Sequence, residues 1–164
     1  ISPFMVFQPV PASESSVWLT PALLLSLLAL AGTALAWPVA AIVRRRFGAT
    51  LALNGKALKA HRLVRGFAAL AVAVIVGWAV LIGAMMSDYS LLGGQLDWAL
   101  TLLQTFSLIG FVGLVAAAGW NAWLVWQDKR GWLARIWSVA LVLAALVLLW
   151  VGYAFHLIGF NLVY

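Results

Sequence analysis

Four long stretches of this chain carry no Asp, Glu, Lys or Arg: Ser15 to Val43, Gly66 to Ser87, Trp98 to Gln127 and Ile136 to Tyr164. Each exceeds the roughly 20 residues with which an α-helix crosses a bilayer. An ionised side chain at the centre of such a helix costs about 2.5 to 3.5 kcal/mol on insertion, so four runs free of them specify the solvent as well as the shape. Composition agrees. The chain is 66% apolar and only 9% charged, and its mean hydropathy is +1.09, whereas a soluble domain is about half apolar and a quarter charged. The expected fold is an all-α integral membrane bundle of four transmembrane helices, with spans at about 17–43, 66–87, 98–126 and 136–160.

Charge between the spans sets the expected orientation. The first connection holds Arg44, Arg45, Arg46, Lys56, Lys59, Arg62 and Arg65 without an acid, and the third holds Lys129, Arg130 and Arg135 with Asp128. Both belong on the cytoplasmic side, because basic residues are retained there. The second connection, Asp88 to Asp97, has no basic residue, so it falls on the other face with both termini, giving an N-out/C-out topology. A net charge of +6 and a pI near 10.6 would suit nucleic acid, but these cations adjoin hydrophobic spans rather than a soluble face. Anionic phospholipid headgroups of the lipid bilayer are the expected partner of the first connection's seven cations. Its segment Lys56 to Arg65 reads either as a helix lying in the headgroup layer or as an ordinary orientation signal.

Residues 1–16 read as an extracytoplasmic linker, with Pro3, Pro9 and Pro11 favouring extended backbone, or as an ordinary frayed terminus. They lack the basic start and apolar core of a signal peptide, and a further segment is expected to precede Ile1. Ser13 to Ser16 offer capping hydroxyls to the first helix, Pro21 lies near its start, and Pro38 deeper inside predicts a kink. Small residues recur every four positions as Gly32, Ala36 and Ala40, then as Ala69, Ala73 and Gly77. Gly113 and Ala117 continue the pattern in the third span. Such strips let helices approach closely in lipid and are the expected helix-packing positions. No internal repeat is evident.

Residues able to carry chemistry are few. There is no cysteine, which excludes disulfides and thiolate ligands. His156 is an intramembrane histidine, for which haem ligation or proton transfer is one reading and a hydrogen-bonded interfacial imidazole the other. Its only fellow, His61, falls in the first connection, so no axial pair forms. Asp88 and Asp97 flank a turn containing Gly93 and Gly94 and read as solvated caps, Asp97 capping the third helix. Trp18, Trp37, Trp98, Trp132 and Trp137 sit near span ends as interfacial anchors, while Trp120, Trp123 and Trp126 fan around the third helix. No catalytic set, metal cluster or cofactor site is expected.

Several local patterns occur together: Trp37-Pro38 before Arg44-Arg45-Arg46, Arg62-x-x-Arg65 before a span, Asn121-x-Trp123, Gly131-Trp132-x-x-Arg135-x-Trp137, His156 and Asn161-x-x-Tyr164. In these the chain resembles the C-terminal membrane region of bacterial CubicO-type serine hydrolases, relatives of class C β-lactamases and penicillin-binding proteins. The resemblance implies a bacterial inner-membrane location, and it agrees with the periplasmic termini expected from charge. It also implies an upstream periplasmic catalytic domain with a Ser-x-x-Lys pair and a Tyr-x-Asn or Tyr-x-Ser element. Neither occurs here, so no catalytic residue carries over. The chain itself is expected to be a membrane-anchoring domain, with a regulatory role open. The alternative is a non-catalytic accessory subunit bound to other membrane subunits.

Overall fold

The computed structural model describes residues 15–47, 55–88, 96–155 and 157–158, the side chain of Trp37 excepted. His156, the Pro-containing linker up to Glu14, the Gly93–Gly94 turn and the closing Asn161 and Tyr164 lie outside the described residues. Four helices account for nearly all the rest: α1 Ser16–Phe47, α2 Gly55–Ser87, α3 Asp97–Gln127 and α4 Trp132–Ala154. No strand occurs among the described residues. At about 1.5 Å per residue, even the 23-residue α4 reaches roughly 34 Å, enough for a hydrocarbon core of about 30 Å. All four are long and apolar enough to cross a membrane, and the chain is an all-α, multi-pass bundle.

The helices start and stop for local reasons, and several bounds differ from the sequence expectation. Ser15 stands just ahead of α1, its carbonyl accepting from the Leu19 amide at 3.2 Å. The helix continues through both Pro21 and Pro38. Each proline lacks an amide hydrogen for the carbonyl four residues back, a loss that membrane helices tolerate. At its far end α1 passes Val43 and takes in Arg44, Arg45 and Arg46. The cap of α3 is Leu96 rather than Asp97, and Leu96 makes no side-chain capping bond. Asp97 opens the helix instead, placing a negative charge in the first turn, where the helix dipole favours it.

The helix that holds the second expected span is longer than that span. It begins at Gly55, so Lys56, Lys59, His61, Arg62 and Arg65 belong to the same helix as the span. The segment is neither a loop nor a separate helix lying flat. Its apolar side explains why: Ala60 is fully buried and Val64 nearly so, which ties this basic stretch to the bundle.

Chain neighbours pack side by side and α1 closes against α4, so the helices form a four-membered ring, with α2 against α3 as its most extensive contact. They alternate in direction. Ser16 and Leu19 of α1 share a crevice with Ile82 of α2 and Phe155 just after α4, while Ala36 of α1 faces His61 of α2 and Ala134 of α4. The core runs down the ring centre through Leu30, Val64, Ala68, Phe111, Leu114 and Leu148. On α2 the buried positions Ala60, Val64, Ala68, Ala71, Val74, Trp78 and Leu81 follow one another in steps of three or four, the seam of a bundle packed at a shallow angle.

Polarity is sorted the opposite way from a soluble bundle. Ser26, Thr33, Gln104, Ser107, Asn121 and Ser138 are buried, whereas Leu25, Leu28, Leu35 and Leu133 are well exposed. With hydrocarbon outside, a leucine gains nothing by turning inward, and a polar group gains a partner. One such partnership crosses helices: Trp78 Nε1 donates to Ser107 Oγ at 2.9 Å, and that hydroxyl donates to the Leu103 carbonyl at 2.7 Å.

Candidate functional site

Antiparallel packing brings all ten Lys and Arg residues to one end of the bundle, on the C-terminal end of α1, the N-terminal part of α2, the α3–α4 connection and the first turn of α4. That connection is tight. The Lys129 amide donates to the Trp126 carbonyl and the Arg130 amide to the Val125 carbonyl, both at 3.3 Å. This pair of bonds closes α3 as a Schellman motif. Its left-handed position is occupied by Lys129, at φ 46°, where glycine or asparagine is usual. Gly131 then caps α4, accepting from Ala134 at 2.9 Å and Arg135 at 3.3 Å. The motif fixes Arg130 at the rim of the ring.

Inside this basic end the helices leave a cavity of about 220 Å³. Its polar lining consists of Thr33 from α1, His61 and Arg65 from α2, Asn121 from α3, Arg130 from the turn and Ser138 from α4. Gly32, Ala36 and Ala134 supply small walls, with Leu141 and Trp137 beside them. Among the described residues no Asp or Glu lines it. Arg44 is close enough to act electrostatically on both His61 and Arg65, and Arg65 and Arg130 act on His61. The result is a concentration of positive charge within reach of apolar helix faces.

Hydrogen bonding within the cavity is uneven. Thr33 Oγ1 donates to the Ala29 carbonyl at 2.8 Å and Ser138 Oγ to the Arg135 carbonyl at 2.7 Å. Both hydroxyl hydrogens are thus committed to their own helices, leaving oxygen lone pairs as acceptors. Arg65 Nε is buried and has no acceptor among the described residues. Arg135, one turn from Ser138, is turned away from the cavity lining, its guanidinium carbon 5.4 Å from the centre of the Trp126 ring, a cation–π distance.

The residues singled out in the sequence divide between this cavity and the periphery. Arg45, Arg46, Lys56, Lys59 and Arg62 are exposed, whereas Arg44 and Arg65 are partly buried. Among the small residues, a methyl group on Gly77 would stand 2.8 Å from Leu103, and one on Gly113 would collide with the Phe67 ring. Ala117 is buried, and Ala40 and Ala69 are partly so. Gly32, Ala36 and Ala73 are exposed within the single chain, and the first two line the cavity. Trp18, Trp98, Trp132 and Trp137 are exposed near helix ends. Sequence reasoning did not single out Thr33, Ser138 or Asn121 as one group, nor link them to His61. Their polarity inside charge-free spans was the available signal. No group of three or more His, Asp or Glu gathers for a metal among the described residues.

Comparison of the chain with family models, with curated proteins and with solved structures finds no match.

Proposed function

We propose that this chain is a membrane-anchoring module of an inner membrane, with its basic end in the cytoplasm and both helix-bundle termini on the periplasmic side. One observation carries the reading: every Lys and Arg is gathered at one end of a four-helix bundle whose other end holds Ser16 and Ala154. Such segregation orients a membrane protein, because cations near span ends resist translocation. The basic rim then meets anionic headgroups, and a module attached beyond either terminus is held on the opposite face. Because the chain lacks cysteine, single-cysteine labelling tests the orientation. A membrane-impermeant maleimide is expected to label Ser87→Cys in intact cells and Lys129→Cys only after permeabilisation; the reverse pattern would overturn the reading.

The motif resemblance supports a periplasmic β-lactamase-like serine hydrolase as the anchored module. Fluorophosphonate or β-lactam labelling of the native product in isolated membranes is the test, and a labelled band containing this chain is expected. Co-purification in mild detergent of unlabelled chain with unrelated integral proteins at fixed stoichiometry would replace that reading with the accessory-subunit one.

A further inference from the structure

We infer that the cavity at the basic end is a binding site for a phosphate-bearing anion, presented either by an anionic lipid headgroup or by free phosphate. Two guanidinium-bearing residues from separate elements, Arg65 of α2 and Arg130 of the α3–α4 turn, line one cavity in which no carboxylate of the described residues offsets them. Arg44 adds its field from α1. Orientation alone would require only the exposed cations Arg45, Arg46, Lys56, Lys59 and Arg62, which remain hydrated outside the cavity. Arg65 is different: it is partly buried and lines the cavity, and its Nε–H, like that of Arg135 beside Trp126, has no acceptor among the described residues. Guanidinium groups bind phosphate through paired N–H donors, and partial burial strengthens the attraction.

Size, chemistry and depth agree. The cavity volume of about 220 Å³ far exceeds the roughly 10–15 Å³ needed by one water. The Thr33 and Ser138 oxygens offer acceptors, and the Asn121 amide offers both functions, which suits the hydroxyls of a glycerol-type headgroup behind its phosphate. From Arg65 to Ser87 the helix advances 22 residues, or about 33 Å. That is close to the hydrocarbon thickness of about 30 Å, so with Ser87 at one membrane surface Arg65 reaches the phosphates of the other leaflet. Gly32 opens the α1 wall, since a Cβ there meets nothing within 4 Å.

The site needs only the bundle and goes beyond the anchoring reading. Reversed topology would move it to the other leaflet without abolishing it, so the two proposals fail separately. The test is native mass spectrometry of the detergent-purified full chain with phosphatidylglycerol and, separately, with inorganic phosphate, alongside circular dichroism to follow folding. Arg65→Gln and Arg130→Gln are expected to retain the bound anion at least about tenfold more weakly, the scale of one charge-assisted hydrogen bond. Lys129→Asn removes a neighbouring exposed charge at a backbone position asparagine accepts and is expected to bind like the parent. Ala134→Leu keeps every charge but adds bulk to the cavity lining, so it is expected to lose binding even if Arg65→Gln does not fold. Retention of lipid alone assigns the headgroup source; phosphate binding without lipid retention assigns the free anion. Failure of the parent chain to hold either probe, equal loss in Lys129→Asn and Arg130→Gln, or undiminished binding by Ala134→Leu would overturn the site.

Discussion

Trp78 and Ser107 show how one residue pair works when lipid rather than water lies outside. Trp78 is 9% exposed and Ser107 fully buried, and their bond ties α2 to α3 at 2.9 Å. A buried indole N–H without its acceptor costs about 1 to 3 kcal/mol, yet polar pairs in membrane proteins couple by only about 0.6 kcal/mol on average, up to roughly 1.7. A double-mutant cycle of Trp78→Phe and Ser107→Ala, read from unfolding in mixed detergent micelles, is therefore expected to give a coupling of about 0.5 to 1.5 kcal/mol. Zero coupling would show that the hydroxyl serves only its own Leu103 carbonyl. Neither residue stood out in the sequence as a pair, because 29 positions separate them and only packing makes them neighbours.

At the scale of the element, α2 carries the principal difference between expectation and structure. The charge-free run begins at Gly66, and a rule based on charge starts the span there. The helix starts at Gly55 because backbone hydrogen bonding continues through charged residues, and Ala60 and Val64 bury one side of its first turns. Ala60→Leu separates this arrangement from a flat interfacial helix. Overpacking a fully buried alanine is expected to cost about 1 to 3 kcal/mol, seen as a lower detergent unfolding midpoint. An interfacial helix would instead gain membrane affinity from the added leucine. The small-residue strip of α2 illustrates the same dependence on packing. Ala68 and Ala71 are fully buried, whereas Ala73 is exposed. Several faces of this helix have small residues at close spacing, and sequence spacing alone cannot choose among them.

For the whole molecule, the decisive property is that its outside is apolar. Leu28, near the middle of α1, is 69% exposed, and in a soluble protein its replacement by a polar residue would be close to neutral. Here Leu28→Arg is expected to reduce membrane insertion by about 2.5 to 3.5 kcal/mol, measured as the inserted fraction in a translocation assay. Unchanged insertion would mean that this face of α1 meets water or a polar partner. The ring of antiparallel helices also gathers cations from three separate sequence segments, around Arg44, Arg65 and Arg130, about one cavity.

The sequence by itself determined the number of helices, their membrane solvent and the separation of basic from acidic connections, because these depend on sums over long segments. Hydrocarbon tolerates so few charges that their absence from four runs leaves little freedom. Tertiary structure decided which helix faces meet, where α2 begins and which cations enter a shared cavity. These helices are apolar on all sides, so hydrophobicity selects no inward face; shape, small contacts such as Gly113 on Phe67, and polar partners such as Ser107 do so instead. Seven basic residues of the first connection look alike as orientation signals, and only the packed bundle distinguishes Arg65, with its buried Nε, from exposed Arg62.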